Sequence, residues 1–138
     1  MLLLDTGLFQ RIPGLKISDV LLSEDFSAIN KGALAELFAG LEWLKAQNPY
    51  HQENLYFWSK ETGTGNAKID YLIEMGGEVV PVEVKSSGSG SMQSMHVFLH
   101  RKNRKKGLRV SLENFGSTGE IDIIPLYAFG IKIRVMQS

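Results

Sequence analysis

Two adjacent glycines between two strand-forming segments constrain this chain most. Lys68 to Glu74 carries Ile69, Tyr71, Leu72 and Ile73, and Val79 to Lys85 carries four valines. Such β-branched and aromatic residues suit a pleated strand. Gly76-Gly77 lies between the two segments, and glycine accepts the positive φ that a tight hairpin turn requires. The spacing predicts an antiparallel hairpin. A turn symmetric about Gly76-Gly77 pairs Met75 with Glu78 and Glu74 with Val79. Further out it sets Asp70 opposite Glu83. Side chains alternate along a strand, so Lys85 shares a face with Glu83.

That register has a chemical consequence. Directly opposite residues have Cβ atoms about 5 Å apart, and two partly buried carboxylates at that distance repel by roughly 3 kcal/mol at an effective dielectric of about 20. A divalent cation would offset the repulsion, and carboxylate oxygens suit Mg²⁺ or Mn²⁺. Lys85 alone could also offset it. The bland alternative is a solvated strand face with scattered charges. The apolar neighbours on both strands argue against it, because they make the hairpin central to a sheet.

The rest of the chain frames this hairpin. Leu34, Leu37, Phe38, Leu41 and Leu44 recur at helical spacing over residues 30–46 and stop at Asn48-Pro49. A short apolar start, a turn near Pro13-Gly14 and a helical turn around Ile17 to Leu22 are expected before it. A strand is expected over 55–59, where Tyr56, Phe57 and Trp58 follow one another. Residues 61–67 read as a loop. After the hairpin, Ser86 to Ser91 holds only serine and glycine and reads as a loop. Met92, Met95, Phe98 and Leu99 mark a second helix. Strands are expected at Leu108 to Leu112 and Ile121 to Phe129, with a loop at Asn114 to Gly119. A last strand is expected where Ile131, Ile133 and Val135 alternate with Lys132 and Arg134. Trp43, Phe57, Trp58, Met92 and Met95 are expected in the core. Helices mixed with strands in this order indicate one α/β domain over residues 1–138, a central mixed sheet flanked by helices.

Glu36 adds a third carboxylate. Its neighbours at three and four residues are Gly32, Ala33, Ala39 and Gly40, small enough for another backbone to approach one helix face. The same pattern suits a plain helix-packing face with a glutamate at its edge.

Several residues together resemble a known family. They are Leu4-Asp5-Thr6-Gly7-Leu8, Gly32 and Glu36 in a helix, Tyr56-Phe57-Trp58, Ile69-Asp70-Tyr71-Leu72-Ile73, Pro81-Val82-Glu83-Val84-Lys85 and Ile124-Pro125-Leu126-Tyr127. The motif order is similar to the uncharacterised C-terminal domain of bacterial and archaeal AAA+-type ATPases, itself regarded as similar to the PD-(D/E)XK nucleases. The resemblance implies a restriction-endonuclease-like core, with Asp70 and Glu83 as Mg²⁺ ligands. It implies that Lys85 orients water or stabilises developing charge, and that Glu36 completes the metal shell or holds an outer water. It also implies DNA as substrate and an attached or partner ATPase, in a prokaryotic cytoplasm. Ile69 stands where the superfamily name has proline.

Other features are weighed against this site. The run Arg101, Lys102, Arg104, Lys105, Lys106 and Arg109 is either a phosphate-contacting patch beside the site or a solvated helix end, where cations suit the helix dipole. His96 and His100, four apart, have a spacing that can bind metal, but no third ligand is in view and surface histidines explain them. Gly63-Thr64-Gly65-Asn66-Ala67-Lys68 is not a phosphate loop, because Gly-Lys-Ser/Thr is absent and a strand follows. With no cysteine, disulfides, thiolate metal sites and a cysteine nucleophile are excluded. No apolar run reaches the roughly 18 residues of a membrane span, and the start lacks the basic region of a signal peptide. Lys plus Arg and Asp plus Glu stand at 15 each, so any polyanion affinity must be local. Two functions remain: a Mg²⁺-dependent nuclease-like domain, or a non-catalytic module of the same fold that binds nucleic acid or protein.

Overall fold

A computed structural model describes residues 24–50, 54–62, 65–87 and 90–137. The expectations for the apolar start, the Pro13-Gly14 turn, the Ile17 to Leu22 turn and the Leu4 to Leu8 motif lie outside these residues. Helix α1 (Glu24–Ala46) is followed by β1 (Tyr56–Thr62), β2 (Gly65–Met75) and β3 (Glu78–Val84). Then come α2 (Gln93–Lys102), β4 (Gly107–Ser111), β5 (Gly116–Thr118) and β6 (Ile121–Pro125). A 3₁₀ turn (Leu126–Ala128) leads into α3 (Phe129–Gln137). The six strands form one sheet in the order β1-β2-β3-β4-β6-β5. β3, β4 and β6 run parallel, and the other three pairings are antiparallel. The expected mixed α/β sheet is therefore present. No described helix is long and apolar enough to cross a membrane.

Helices cover both faces. On one, Ala35, Ala39 and Trp43 of α1 pack with Phe129 and Ile133 of α3 against Ile73, Val80, Val82, Val84, Leu108, Val110 and Ile124. The small Ala35 and Ala39, one helical turn apart, bring α1 close to the sheet, while Leu37 and Leu41 of the expected leucine stripe are also buried. On the other face, Met95, Phe98 and Leu99 of α2 cover Ile69 and Ile121, with Trp58, Leu72 and Met92 alongside. Trp58 meets Phe98 edge to face at 5.3 Å between ring centroids, a favourable aromatic geometry. Phe57, expected in the core, is exposed instead.

Four expectations for secondary structure are corrected. The strand expected from Ile121 to Phe129 ends at Pro125, where the chain enters the 3₁₀ turn. The 61–67 loop is shorter than expected: β1 continues to Thr62, β2 begins at Gly65, and the two strands form a hairpin. Part of the 114–119 loop is β5. The end of the chain is helical from Phe129, with no strand over 131–135. Five residues of alternating hydrophobicity fit either period there. Phe129 and Ile133, four apart, are buried, while Ile131 and Val135, also four apart, are exposed on the opposite face.

Gly107 opens β4 beneath α2. A Cβ there would lie 2.7 Å from the buried Met95 Sδ, a collision in a packed layer. Gly107→Ala is expected to destabilise the fold by about 1–3 kcal/mol through overpacking, read as a lowered urea midpoint.

Candidate functional site

The site is assembled where the β2–β3 hairpin opens. Gly76 and Gly77 adopt φ values of 60° and 77°, as a two-residue turn with both φ positive requires. The ladder then follows the expected register from Met75↔Glu78 to Tyr71↔Val82. It stops one step before Asp70 and Glu83, so that expected cross-strand pair is not formed.

A β-bulge explains the interruption. On its other side β2 pairs Leu72 with Tyr56 but Ile69 with Trp58, so Asp70 and Tyr71 together oppose Phe57. Alternation is broken, and Ile69 and Leu72, three apart, both join the α2-side cluster. The Asp70 Oδ2 accepts the Val84 backbone N–H at 2.9 Å, taking the place of a strand carbonyl. Glu83 keeps regular alternation. Val82 and Val84 face α1, so Glu83 turns to the α2 side, in register with Arg109 of β4.

Asp70 is drawn towards α1. Lys68 Nζ lies 3.3 Å from Asp70 Oδ1 and 3.8 Å from Glu36 Oε2. The Tyr71 hydroxyl donates to the Glu36 backbone carbonyl at 2.8 Å, which ties the bulge to the helix. A Cβ at Gly32 would sit 4.0 Å from Ser86 Oγ, so the small residues near Glu36 lie beside the loop leaving β3. Partial burial, and after it the Asp70 charge, raises the Glu36 pKa, while the Lys68 and Lys85 ammoniums pull it back. Burial, with the Glu36 and Asp70 charges, pushes the Tyr71 phenol up to about 12.

Glu83 is held separately. Its Oε1 meets Lys85 Nζ at 2.6 Å, and its side chain is 5% exposed. Its Oε2 is buried without a hydrogen-bond partner, which is costly for a carboxylate. The structure thus gathers Glu36 and Asp70 on one ammonium and Glu83 on another. Lys85 lies near enough to Glu36 to act on its charge.

The donor set suits a hard cation. It contains only carboxylate oxygens, and Mg²⁺ commonly takes one or two carboxylates and completes its shell with water and substrate phosphate. The orphaned Glu83 Oε2 is a further oxygen with unused acceptor capacity. Among the described residues no three Asp, Glu or His side chains converge on one point, so the fit is to a site of few protein ligands. Lys68 was not singled out in the sequence. Its position two residues before Asp70 was the available signal, since i and i+2 share a strand face. Tyr71 was seen only as an apolar strand residue.

The basic run is not beside this site, contrary to expectation. Arg104 reaches Glu78 at 3.4 Å, at the turn end of β3. β3 is seven residues long, which separates its ends by about 20 Å. Arg101, Lys102, Lys105 and Lys106 are exposed there, and Lys106 meets Asp122 at 3.4 Å. Arg109 is buried, 2.8 Å from Glu113, and forms no part of an exposed patch. His96 and His100 are exposed on α2.

Fold and site together define an α/β domain with an acidic cluster at the open end of its central hairpin. The chain belongs to the DUF4143 family, a domain of unknown function, which matches residues 31–129. That span includes Glu36, Lys68, Asp70, Tyr71, Glu83 and Lys85 and ends at the start of α3. No curated protein and no solved structure matches the chain.

Two outcomes test the geometry. Asp70→Ala strands the Val84 amide and is expected to cost about 1–3 kcal/mol, whereas Asp70→Asn retains an acceptor and is expected to cost less, both read by chemical denaturation. The Tyr71 shift has a defined sign. Its folded pKa is raised, so its contribution to stability is complete below the ordinary phenol value of 10.0 and lost as pH rises through about 12. Absorbance titration of tyrosinate is expected to show a late-ionising phenol that Tyr71→Phe removes.

Proposed function

We propose that this domain binds Mg²⁺ or Mn²⁺ at Glu36 and Asp70 and acts on DNA phosphodiesters as a nuclease-like domain, working with an AAA+-type ATPase attached to it or partnered with it. One observation carries the proposal: two carboxylates from separate elements converge on the single ammonium of Lys68. A cation between them is thus electrostatically favoured, and Lys68, whose side chain is 57% exposed, is a weakly held occupant. Glu83, buried and paired with Lys85, stands apart from these two carboxylates and holds that lysine in place. A bound divalent ion would polarise the scissile phosphate and lower the pKa of an attacking water. Lys85 stabilises negative charge developing on the phosphate, and Asp70 keeps the open end of the hairpin in shape through Val84.

Titration calorimetry with Mg²⁺ or Mn²⁺ is the test. Binding by the wild-type chain, weakened about tenfold or more by Glu36→Gln and by Asp70→Asn, is expected, followed by metal-dependent nicking of plasmid or single-stranded DNA. Absence of binding at millimolar metal, or binding that both variants leave unchanged, overturns the proposal.

A specific observation favours a second reading, a non-catalytic nucleic-acid- or protein-binding module that keeps the fold. Each carboxylate already has a lysine partner, and one oxygen of Asp70 serves the backbone. Under that reading the lysines are permanent, and Lys68→Met would destabilise the domain rather than open a cation site.

A further inference from the structure

The α2 side of the molecule carries a charge asymmetry that the cation site does not explain. Between Glu83 and Glu113 the sequence has no acidic residue, yet it holds seven of the chain's 15 Lys and Arg residues, together with His96 and His100. Lys85, Arg104, Lys106 and Arg109 are paired with Glu83, Glu78, Asp122 and Glu113, so the local excess of positive charge rests on Arg101, Lys102 and Lys105.

The fold lays the segment along a line. Its first part leaves β3 at Lys85, beside the acidic cluster. Helix α2 starts near β2, where Ser94 Oγ accepts the Lys68 backbone N–H at 3.4 Å. It then runs to the far end of the sheet, where Arg104 meets Glu78. The helix has 10 residues, so it spans about 15 Å. An open groove follows its outer flank, lined by Met92, Gln93, His96, Val97, His100 and Arg101. Among the described residues no acidic side chain lines it. His96, His100 and Arg101 are exposed.

We propose that this groove is the track for a single strand of nucleic acid, running from the basic turn at 101–106 towards the Glu36–Asp70 site. The charge complementarity is to phosphate: Arg101, Lys102 and Lys105 stand exposed at one end, and cations near a helix C-terminus are held without opposing carboxylates. The groove itself supplies what bases need. The imidazole rings of His96 and His100, one helical turn apart, offer stacking planes, and Met92 and Val97 add apolar surface to the lining. A shallow groove of this kind suits splayed bases rather than a rigid duplex edge. The track rests on the nucleic-acid reading proposed above and names the form of its substrate. It does not require the cation.

Fluorescence anisotropy of the full chain with a labelled single-stranded oligothymidylate, in EDTA, separates the two claims. Expected is saturable binding that weakens with salt. The His96→Ala/His100→Ala double variant and Arg101→Glu are each expected to weaken it roughly tenfold, with unchanged circular dichroism. Lys132→Glu, on the opposite helix layer, is expected to leave it unaltered. No binding, tighter binding to duplex than to single strand, or loss in Lys132→Glu equal to that in the groove variants overturns the track. Binding that obeys these expectations while calorimetry detects no metal leaves the track standing and removes only the cation site.

Discussion

Where β2 and β3 part, the amide of Val84 faces a strand that has slipped out of register, and the Asp70 carboxylate accepts it. The local structure depends on this substitution of side chain for backbone. A buried amide left without an acceptor would penalise the end of a central strand. With Asp70 in that role the bulge is tolerated. The bulge in turn lets Ile69 pack under α2 while Tyr71 turns towards α1 and anchors Glu36 through its main-chain carbonyl. Asp70 thus closes the end of the β2–β3 pairing, and its neighbour Tyr71 ties the bulge to the backbone at Glu36.

The same interaction limits what the site can do. One Asp70 oxygen is committed to the backbone and the other faces Lys68. Glu83, buried on the α2 side, is balanced through one oxygen by Lys85 and carries the other without a hydrogen bond. In this arrangement each carboxylate is neutralised by a lysine, Glu36 and Asp70 by Lys68 and Glu83 by Lys85. Exposed ion pairs are individually weak, so the contacts of the exposed Lys68 hold the cluster less firmly than the Lys85 contact holds the buried Glu83.

Much of the fold was legible where a local signal was strong. The Gly76-Gly77 turn specified both the hairpin and its register from Met75 to Val82, and the leucine spacing specified α1. The failures have physical causes. The bulge at Asp70–Tyr71 leaves no mark in composition, and it moved Asp70 away from the cross-strand position that symmetry assigned to it. Ile131, Ile133 and Val135 fit a two-residue period over a stretch too short to exclude a helical one, and packing of Phe129 and Ile133 against α1 decided between them. The basic run was correctly seen as charged, but its distance from the hairpin's open end follows from the parallel pairing of β3 and β4, which no local pattern encodes. Lys68 was overlooked because its partners come from two elements far apart in sequence.

The most direct test of the account is anomalous diffraction from crystals grown or soaked with Mn²⁺. The expected result is a peak within coordination distance of Glu36 and Asp70, with the Lys68 ammonium displaced from between them. Crystals saturated with Mn²⁺ that show no peak there, with Lys68 still bridging the two carboxylates, would contradict it and leave the cluster as a purely structural clasp.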